Sequence, residues 1–471
     1  MKRRNRIAAA LGVATLLSFE PAVAEQANVV FLFADDLGYG SVSSYGSDIP
    51  TPHIDSIGRN GVRFTSGYMT APVCNPSRHG MMTGRYQQRW GKELNSQTVM
   101  PVGQTDRRDL PRDQKTIANG MKAAGYRTGA FGKWQLSVKD GYHPLDRGFD
   151  EFVGMESGMS HVDPRWPDVH IAPQAPDDPR QATEAGLKGL FRGREPVELE
   201  ELLTERLARE GVEFIGRNKE RPFFLYVPFY SPHSPIQTTE KYYRRFPDIE
   251  DETRRIYAGM ISAVDDAVGA VLAKLREEGL EEKTLVIFAS DNGAAETYDV
   301  GHVANLPLIG HKRNLYGGGI RIPYLMQWKG RVPAGQTYTK PVSSLDLFPT
   351  FLAAADLEDV SQYKLDGVNL LPYLDGTNAG TPHEYLFWRS GPNLAVRHGE
   401  WKLLLVGSEM TRLYNADKDP SESEDMSTKR PELVKQMKQA HDRWAKEMAP
   451  PRESSRKVRT NYNDDEIDWH I

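Results

Sequence analysis

The sequence predicts an α/β protein: a large, mostly parallel sheet sandwiched by helices, then a smaller C-terminal antiparallel sheet with one helix packed on it. Three observations carry this. First, residues 28–34, 223–227 and 284–289 are continuous apolar runs of strand length, as expected of strands buried on both faces of a parallel sheet. Second, helix-period stretches lie between them. The best spans 256–278, where Ile256, Met260, Ile261, Val264, Val268, Val271, Leu272 and Leu275 form an apolar stripe closed by Gly279. Third, beyond residue 376 the pattern changes to short strand-like runs at 384–389, 394–398, 401–406 and 413–415. His398-Gly399 makes a hairpin turn there, and a terminal helix follows over 431–448.

The remaining elements follow in order. Residues 1–24 read as a secretory leader: Lys2, Arg3, Arg4 and Arg6, then an apolar stretch to Leu17, then Ala22-Val23-Ala24 as the cleavage site. The apolar stretch is too short for a membrane span, and no later segment is read as one. A short helix and strand span 51–64, a helix spans 115–124, and a strand spans 126–131. Residues 157–197 have no clean period and carry His161, Asp163, Arg165, Trp166 and His170; we read them as a functional loop that walls a substrate site. A charged helix is expected over 197–218. The expected division is a leader (1–24), a catalytic domain (25–375), an α+β subdomain (376–450) and a polar, irregular, poorly ordered tail (451–471) with Trp469 free to tuck back.

Composition narrows the function. The chain has 471 residues, 39% hydrophobic and 26% charged, enough for a large core and a second subdomain. Its formal charge is −5, and loss of the basic leader makes it more negative, which argues against non-specific nucleic-acid binding. An anionic polymer would have to be held by a local cluster of Arg and Lys. Export normally brings disulfides, but a single cysteine leaves none within the chain. The expected address is a bacterial periplasm or the cell exterior.

That cysteine, Cys74, opens Cys-Asn-Pro-Ser-Arg, closed by Thr83-Gly84-Arg85. Pro76 suits the first turn of a helix, so Cys74 is placed at a helix N-terminus, where free N–H groups favour negative charge. Arg78 follows one turn later on the same face. A lone Cys is most often a small buried hydrophobe; the neighbours point to chemistry instead. Asp35-Asp36 and Asp291-Asn292 each follow a buried strand. Adjacent carboxylates repel, and a hard divalent cation such as Ca²⁺ would give them a reason to be there. Lys133 follows a strand in the same way, and His233 and Lys312 lie in loops after strands.

Cys-x-Pro-Ser-Arg with Thr-Gly-Arg resembles the signature of the formylglycine-dependent (type I) sulfatases, of the alkaline-phosphatase-like superfamily. Thr51-Pro52-His53-Ile54-Asp55, Gly61 to Phe64, Pro144 to Asp150 and Asn305 to Pro323 resemble further runs of that family. The resemblance implies that Cys74 is oxidised to formylglycine (3-oxoalanine) by a formylglycine-generating or anaerobic sulfatase-maturating enzyme. It implies one Ca²⁺ held by Asp35, Asp36, Asp291, Asn292 and residue 74. It makes Cys74, Arg78, Lys133, His233 and Lys312 catalytic. A sulfated carbohydrate is then contacted by Lys133, Gln135, His161, His233 and Lys312. Two positions depart from the family: Gln135 stands where a His is usual, and Gly317 where a Glu is usual. Gln cannot act as a base near neutral pH, so His143, His161 and Asp291 are candidates to release the sulfate. A phosphonate or phosphodiester hydrolase, or a sulfated-glycan binding protein without turnover, are the alternatives.

Overall fold

The computed structural model describes residues 26–95, 109–172, 189–296, 303–357, 359–408, 410–452, 457–462 and 465–470; the expected leader lies outside them. A ten-stranded sheet runs through the larger part. Its centre is five parallel strands in the order Thr284–Ser290, Asn28–Ala34, Phe223–Pro228, Arg127–Lys133 and Glu151–Met155. Tyr324–Gln327 adds antiparallel at the Thr284 side, followed by Val62–Phe64 and Gln336–Tyr338. Glu151–Met155 was not expected: it is five residues long and contains Gly154, so its apolar run is weak.

Alternation along Asn28–Ala34 shows why this strand must be central. Val30, Leu32 and Ala34 enter one core, Val29, Phe31 and Phe33 the other, and all are fully buried. The first core is covered by the helices Leu203–Asn218 and Glu252–Glu277, the second by Ile117–Ala123 and Leu347–Ala354. Glu252–Glu277 is long and apolar enough to cross a membrane, but 83% of its most apolar window is buried inside the protein, as a core helix should be. It starts four residues earlier than the stripe suggests because Asp251 caps it, accepting from the Arg254 N–H at 2.7 Å.

The charged helix begins at Leu203 rather than residue 197, since Phe191–Arg192 and Glu195–Pro196 pair as short strands. The expected loop of 157–197 is also partly ordered: Val169–Ile171 pairs with Gln237–Thr239. The four C-terminal strands, Tyr385–Ser390, Asn393–His398, Trp401–Val406 and Met410–Asn415, form an antiparallel meander. One face packs Val396, Leu403 and Leu413 on Met437 of the helix Pro431–Ala445. The other packs Trp388, Leu404 and Tyr414 on Tyr68, Tyr316 and Ile320. The tail is not irregular: Lys457–Tyr462 and Asp465–His470 form a hairpin, and Trp469 is buried edge-on to Tyr316, 5.6 Å between centroids.

Candidate active site

Parallel strands end on one edge of the sheet, where ligand sites of α/β proteins gather. Asp35-Asp36 leaves Asn28–Ala34, Asp291-Asn292 leaves Thr284–Ser290, and Lys133 ends its own strand. The register Ala34↔Ser290 sets the two acidic pairs side by side, and the Asp36 N–H donates to Asp291 Oδ1 at 3.1 Å. Asp36 and Gln135 hold φ values of 60° and 58°, and Arg313, beside Lys312, holds 85°. Non-glycine residues in that region concentrate at functional sites.

Cys74 is the first residue of the helix Cys74–Thr83 and is 1% exposed. Its Sγ lies 3.9 Å from Asp36 Oδ1. Burial pushes the thiol up to about 12, against the pull of Lys133 and Lys312. An unmodified Cys74 is therefore a protonated thiol at neutral pH and a poor nucleophile.

Arg78 lies on the same helix and makes no free approach to the site. Nε and Nη2 donate to Asp291 Oδ2 at 3.1 and 2.9 Å, and Nη1 to the Lys133 carbonyl at 3.0 Å and the Tyr226 hydroxyl at 3.4 Å. Nη2 also lies 3.4 Å from Asp35. Arg78, expected to be catalytic, thus spends its guanidinium on the two carboxylates, a tyrosine and a backbone carbonyl. Lys133 pairs with Asp35 and faces the Tyr230 ring. Lys312 Nζ donates to Asp36 at 2.8 Å, and its backbone N–H to Ala294 O.

The donor chemistry fits a hard divalent cation. Asp35 Oδ1 and Asn292 Oδ1 are buried acceptors with no hydrogen-bond partner. Asp35, Asp36, Cys74 and His233 offer ligand atoms within 4.8 Å of one another. Asn292 Nδ2 donates to Asp36 Oδ1 at 2.7 Å, which turns its own oxygen away from that bond. Burial pushes the Asp35 carboxyl up, but Lys133, His233, Arg78 and Lys312 together hold it well below the usual range. Burial, with the neighbouring Asp35 charge, raises Asp291 to about 7 despite Arg78. These are oxygen donors suited to Ca²⁺ or Mg²⁺.

His233 Nε2 faces Asp36 Oδ2 at 3.5 Å, while Nδ1 lies 2.6 Å from the Ser234 carbonyl, which assigns the proton to Nδ1. Burial lowers the imidazole to about 3, and Lys312 and Lys133 add to that against Asp36. His161, expected to contact the sugar, has no exposed surface. It is fully buried, with Nε2 2.8 Å from the His233 carbonyl and Nδ1 3.3 Å from Ser231 Oγ. It supports the His233 turn from behind, stacked on Tyr230. His143 is likewise committed, to Gly193 O and the Leu145 N–H. Gln135 stands beside the nucleophile helix: Asn75 Nδ2 donates to its carbonyl at 2.6 Å, and its own Oε1 is buried without a partner.

Lys312 bonds to Asp36 and to the Ala294 carbonyl, and Gly317 bonds elsewhere. The Gly317 N–H donates to Glu422 Oε1 at 3.0 Å, and a Cβ at 317 would lie 3.2 Å from that oxygen. Glu422 comes from the C-terminal subdomain and is buried with Lys402, 2.7 and 3.0 Å from Nζ. The turn Gly317–Ile320 in turn packs on Gly293, where a Cβ would come within 1.6 Å of the Gly318 carbonyl. Glu422, Tyr226, Tyr230 and Asn75 were not singled out from sequence. The tyrosines sit in an apolar segment, and Glu422 is one of many charges in a polar turn, so only tertiary contact reveals them.

The sulfatase family model matches residues 27–357, and the C-terminal model of N-sulphoglucosamine sulphohydrolase matches 309–447. N-acetylgalactosamine-6-sulfatase of Canis lupus familiaris is 31% identical over 389 residues, 80% of this chain and 71% of that protein. Arylsulfatase A of Homo sapiens is 31% identical over 462 residues, 89% and 87% of the two chains. The crystal structure of Ps i-CgsB in complex with k-i-k-neocarrahexaose superposes with a TM-score of 0.79 at 33% identity, covering 91% of this chain and 94% of that one. With the alkaline-phosphatase-like fold and the Cys74 site in place, the chain belongs to the sulfatase family and is a sulfuric ester hydrolase.

Proposed function

We propose that this protein is an exported, calcium-dependent sulfatase that removes sulfate from a sulfated carbohydrate, using formylglycine formed from Cys74 by a maturation enzyme. The observation that carries this is the position of Cys74: at a helix N-terminus, against Asp36, and close enough to Lys133 and Lys312 for both to favour negative charge on it. A formylglycine at 74 supplies a hydrated aldehyde as nucleophile, and a cation on Asp35, Asp36, Asp291 and Asn292 supplies positive charge beside it.

The chain's own groups do the rest. Lys133 and Lys312 bind the sulfate oxygens and stabilise charge as the S–O bond breaks. Arg78 fixes Asp291 and Asp35 so that neither turns away. Asp291 takes the nucleophile's proton. His233, at the mouth of the site, hydrogen-bonds the departing oxygen of the sugar. A neutral imidazole suits that position until a substrate anion draws a proton to Nε2.

Carbohydrate is supported by Ps i-CgsB, 33% identical and crystallised with k-i-k-neocarrahexaose. Export is supported by the basic, apolar and Ala-x-Ala pattern of residues 1–24. The test is metal dependence. Matured protein stripped with a calcium chelator loses sulfate release from sulfated galactan oligosaccharides and regains it with Ca²⁺. Activity that survives complete metal removal overturns the calcium reading.

A further inference from the structure

Beside the site lies a cavity of about 220 Å³ that the reaction itself does not use. Its lining includes the apolar Ile49, Tyr257 and Val303 and the charged Asp48, Asp251 and Arg254. Its place follows from topology. The helix Glu252–Glu277 feeds back into the parallel strand Thr284–Ser290, so its N-terminus, with Asp251 and Arg254, stands at the sheet edge that carries Asp35 and Asp291. Tyr257 is a wall common to this cavity and to the narrow cleft lined by Asp36, Pro232 and Ala294. The Tyr257 hydroxyl meets Ser41 Oγ at 3.2 Å, and Ser41 donates to Ala304 O at 3.3 Å, which ties the cavity to the segment leaving Asp36.

We infer that this cavity is a subsite for an uncharged sugar ring of the same glycan chain, next to the sugar that carries the scissile sulfate. The inference rests on the sulfated-carbohydrate reading above and deepens it. A cavity of this volume is below the usual range for drug-sized ligands and suits one ring. Its apolar lining residues can pack on the C–H face of a pyranose. Val303 and Leu306, 45% and 56% exposed, are the large apolar side chains left open to solvent among the described residues, and Val303 sits on this cavity. Its charged lining residues match hydroxyls: carboxylates accept from them, and a guanidinium donates to them. Charge sets the ring's identity. Arg254 is already paired with Asp48, and Asp251 adds a second carboxylate, so a second sulfate would meet net negative charge. The preferred substrate therefore carries an unsulfated residue beside the sulfated one.

The experiment compares short and long probes. Matured wild type, Arg254→Ala and Val303→Ser are assayed with 4-nitrophenyl sulfate and with a sulfated galactan hexasaccharide. Loss of a hydrogen bond to the Arg254 guanidinium is expected to lower the long-to-short ratio of kcat/KM by about tenfold in Arg254→Ala, and loss of apolar contact to lower it by a few-fold in Val303→Ser. A general structural defect would lower both rates and leave the ratio unchanged. Calorimetry with Cys74→Ala, which needs no turnover, then compares binding of the hexasaccharide and a disaccharide. Hexasaccharide binding that weakens on adding Arg254→Ala supports the subsite. Sulfate release with a ratio and affinities indifferent to both variants overturns the subsite alone. No release and no oligosaccharide binding overturns the carbohydrate reading and the subsite with it.

Discussion

Arg78 grips a single oxygen of Asp291 with two nitrogens, Nε at 3.1 Å and Nη2 at 2.9 Å, and both side chains are buried. The same guanidinium reaches Asp35, Tyr226 and the Lys133 carbonyl. One cation thus joins two acidic strand ends to the helix that carries Cys74. A lysine has no planar fork and cannot reproduce these bonds. Arg78→Lys is expected to cut kcat/KM on the order of a hundredfold, as for residues that orient metal ligands. Arg78→Ala leaves buried carboxylates without their partner and should cost about 3–5 kcal/mol of stability. Steady-state kinetics and denaturant melts check the two effects separately.

Cys74 is buried and its thiol is held near 12 by that burial. Thiolate is the reactive form, and its fraction rises only as pH approaches that value. Folded, unmodified protein should therefore resist iodoacetamide at pH 8, whereas unfolded protein, with a thiol near its ordinary value, should alkylate quickly. Peptide mass spectrometry reads both. If Cys74 is matured as proposed, the maturation enzyme is expected to act before the chain folds, and adding such an enzyme to folded protein should yield little formylglycine. Rapid conversion of folded protein contradicts this.

Gln135 stands where the family resemblance places a His, next to Asn75 on the nucleophile helix. Its amide can hold a substrate but cannot move a proton near neutral pH. Gln135→His is expected to raise kcat several-fold, with KM little changed, if sulfate release limits turnover. A fall in kcat would assign the Gln135 amide itself a necessary contact.

His161 supports His233, 2.8 Å from its carbonyl, and both its ring nitrogens are engaged. His161→Ala is expected to lower stability by about 1–3 kcal/mol and kcat modestly, by letting the His233 turn shift. His143→Ala, whose partners are Gly193 and Leu145, should leave turnover near wild type. A His143→Ala protein that folds normally and has lost turnover would make His143 the missing base.

Glu422 carries the C-terminal subdomain to the edge of the site. Removing its charge leaves Lys402 buried beside Tyr316 with no carboxylate partner. Glu422→Gln should therefore cost about 3–5 kcal/mol, whereas Glu422→Gln with Lys402→Met should recover most of it. Thermal melts of the single and double variants decide this.

The elements legible in the sequence were those written in local pattern. Asn28–Ala34 and Thr284–Ser290 are apolar from end to end, and each is followed by oxygen donors, so strands and ligands showed together. The Cys74 helix was legible through Pro76 and the spacing to Arg78. What stayed hidden depends on tertiary placement. Glu151–Met155 gains its strand character from lying beside Arg127–Lys133, not from its own residues. For Arg78, spacing gives a helix face but not its depth, so its bonds to Asp291, Asp35 and the Lys133 carbonyl are seen only in the fold. His161 was placed in a substrate wall because nothing local shows that it is buried under His233. Glu422 lies 105 residues from Gly317, and only the packing of the C-terminal sheet brings them together.

The most direct test of the account is anion release. Protein produced with a maturation enzyme, and shown by peptide mass to carry formylglycine at 74, is incubated with Ca²⁺ and sulfated galactan oligosaccharides, and free sulfate and phosphate are quantified against Cys74→Ala. The account predicts sulfate from the matured wild type and none from Cys74→Ala. Matured protein that binds the oligosaccharide and releases no sulfate, or that frees phosphate from a phosphonate ester faster than sulfate from any glycan, would contradict it.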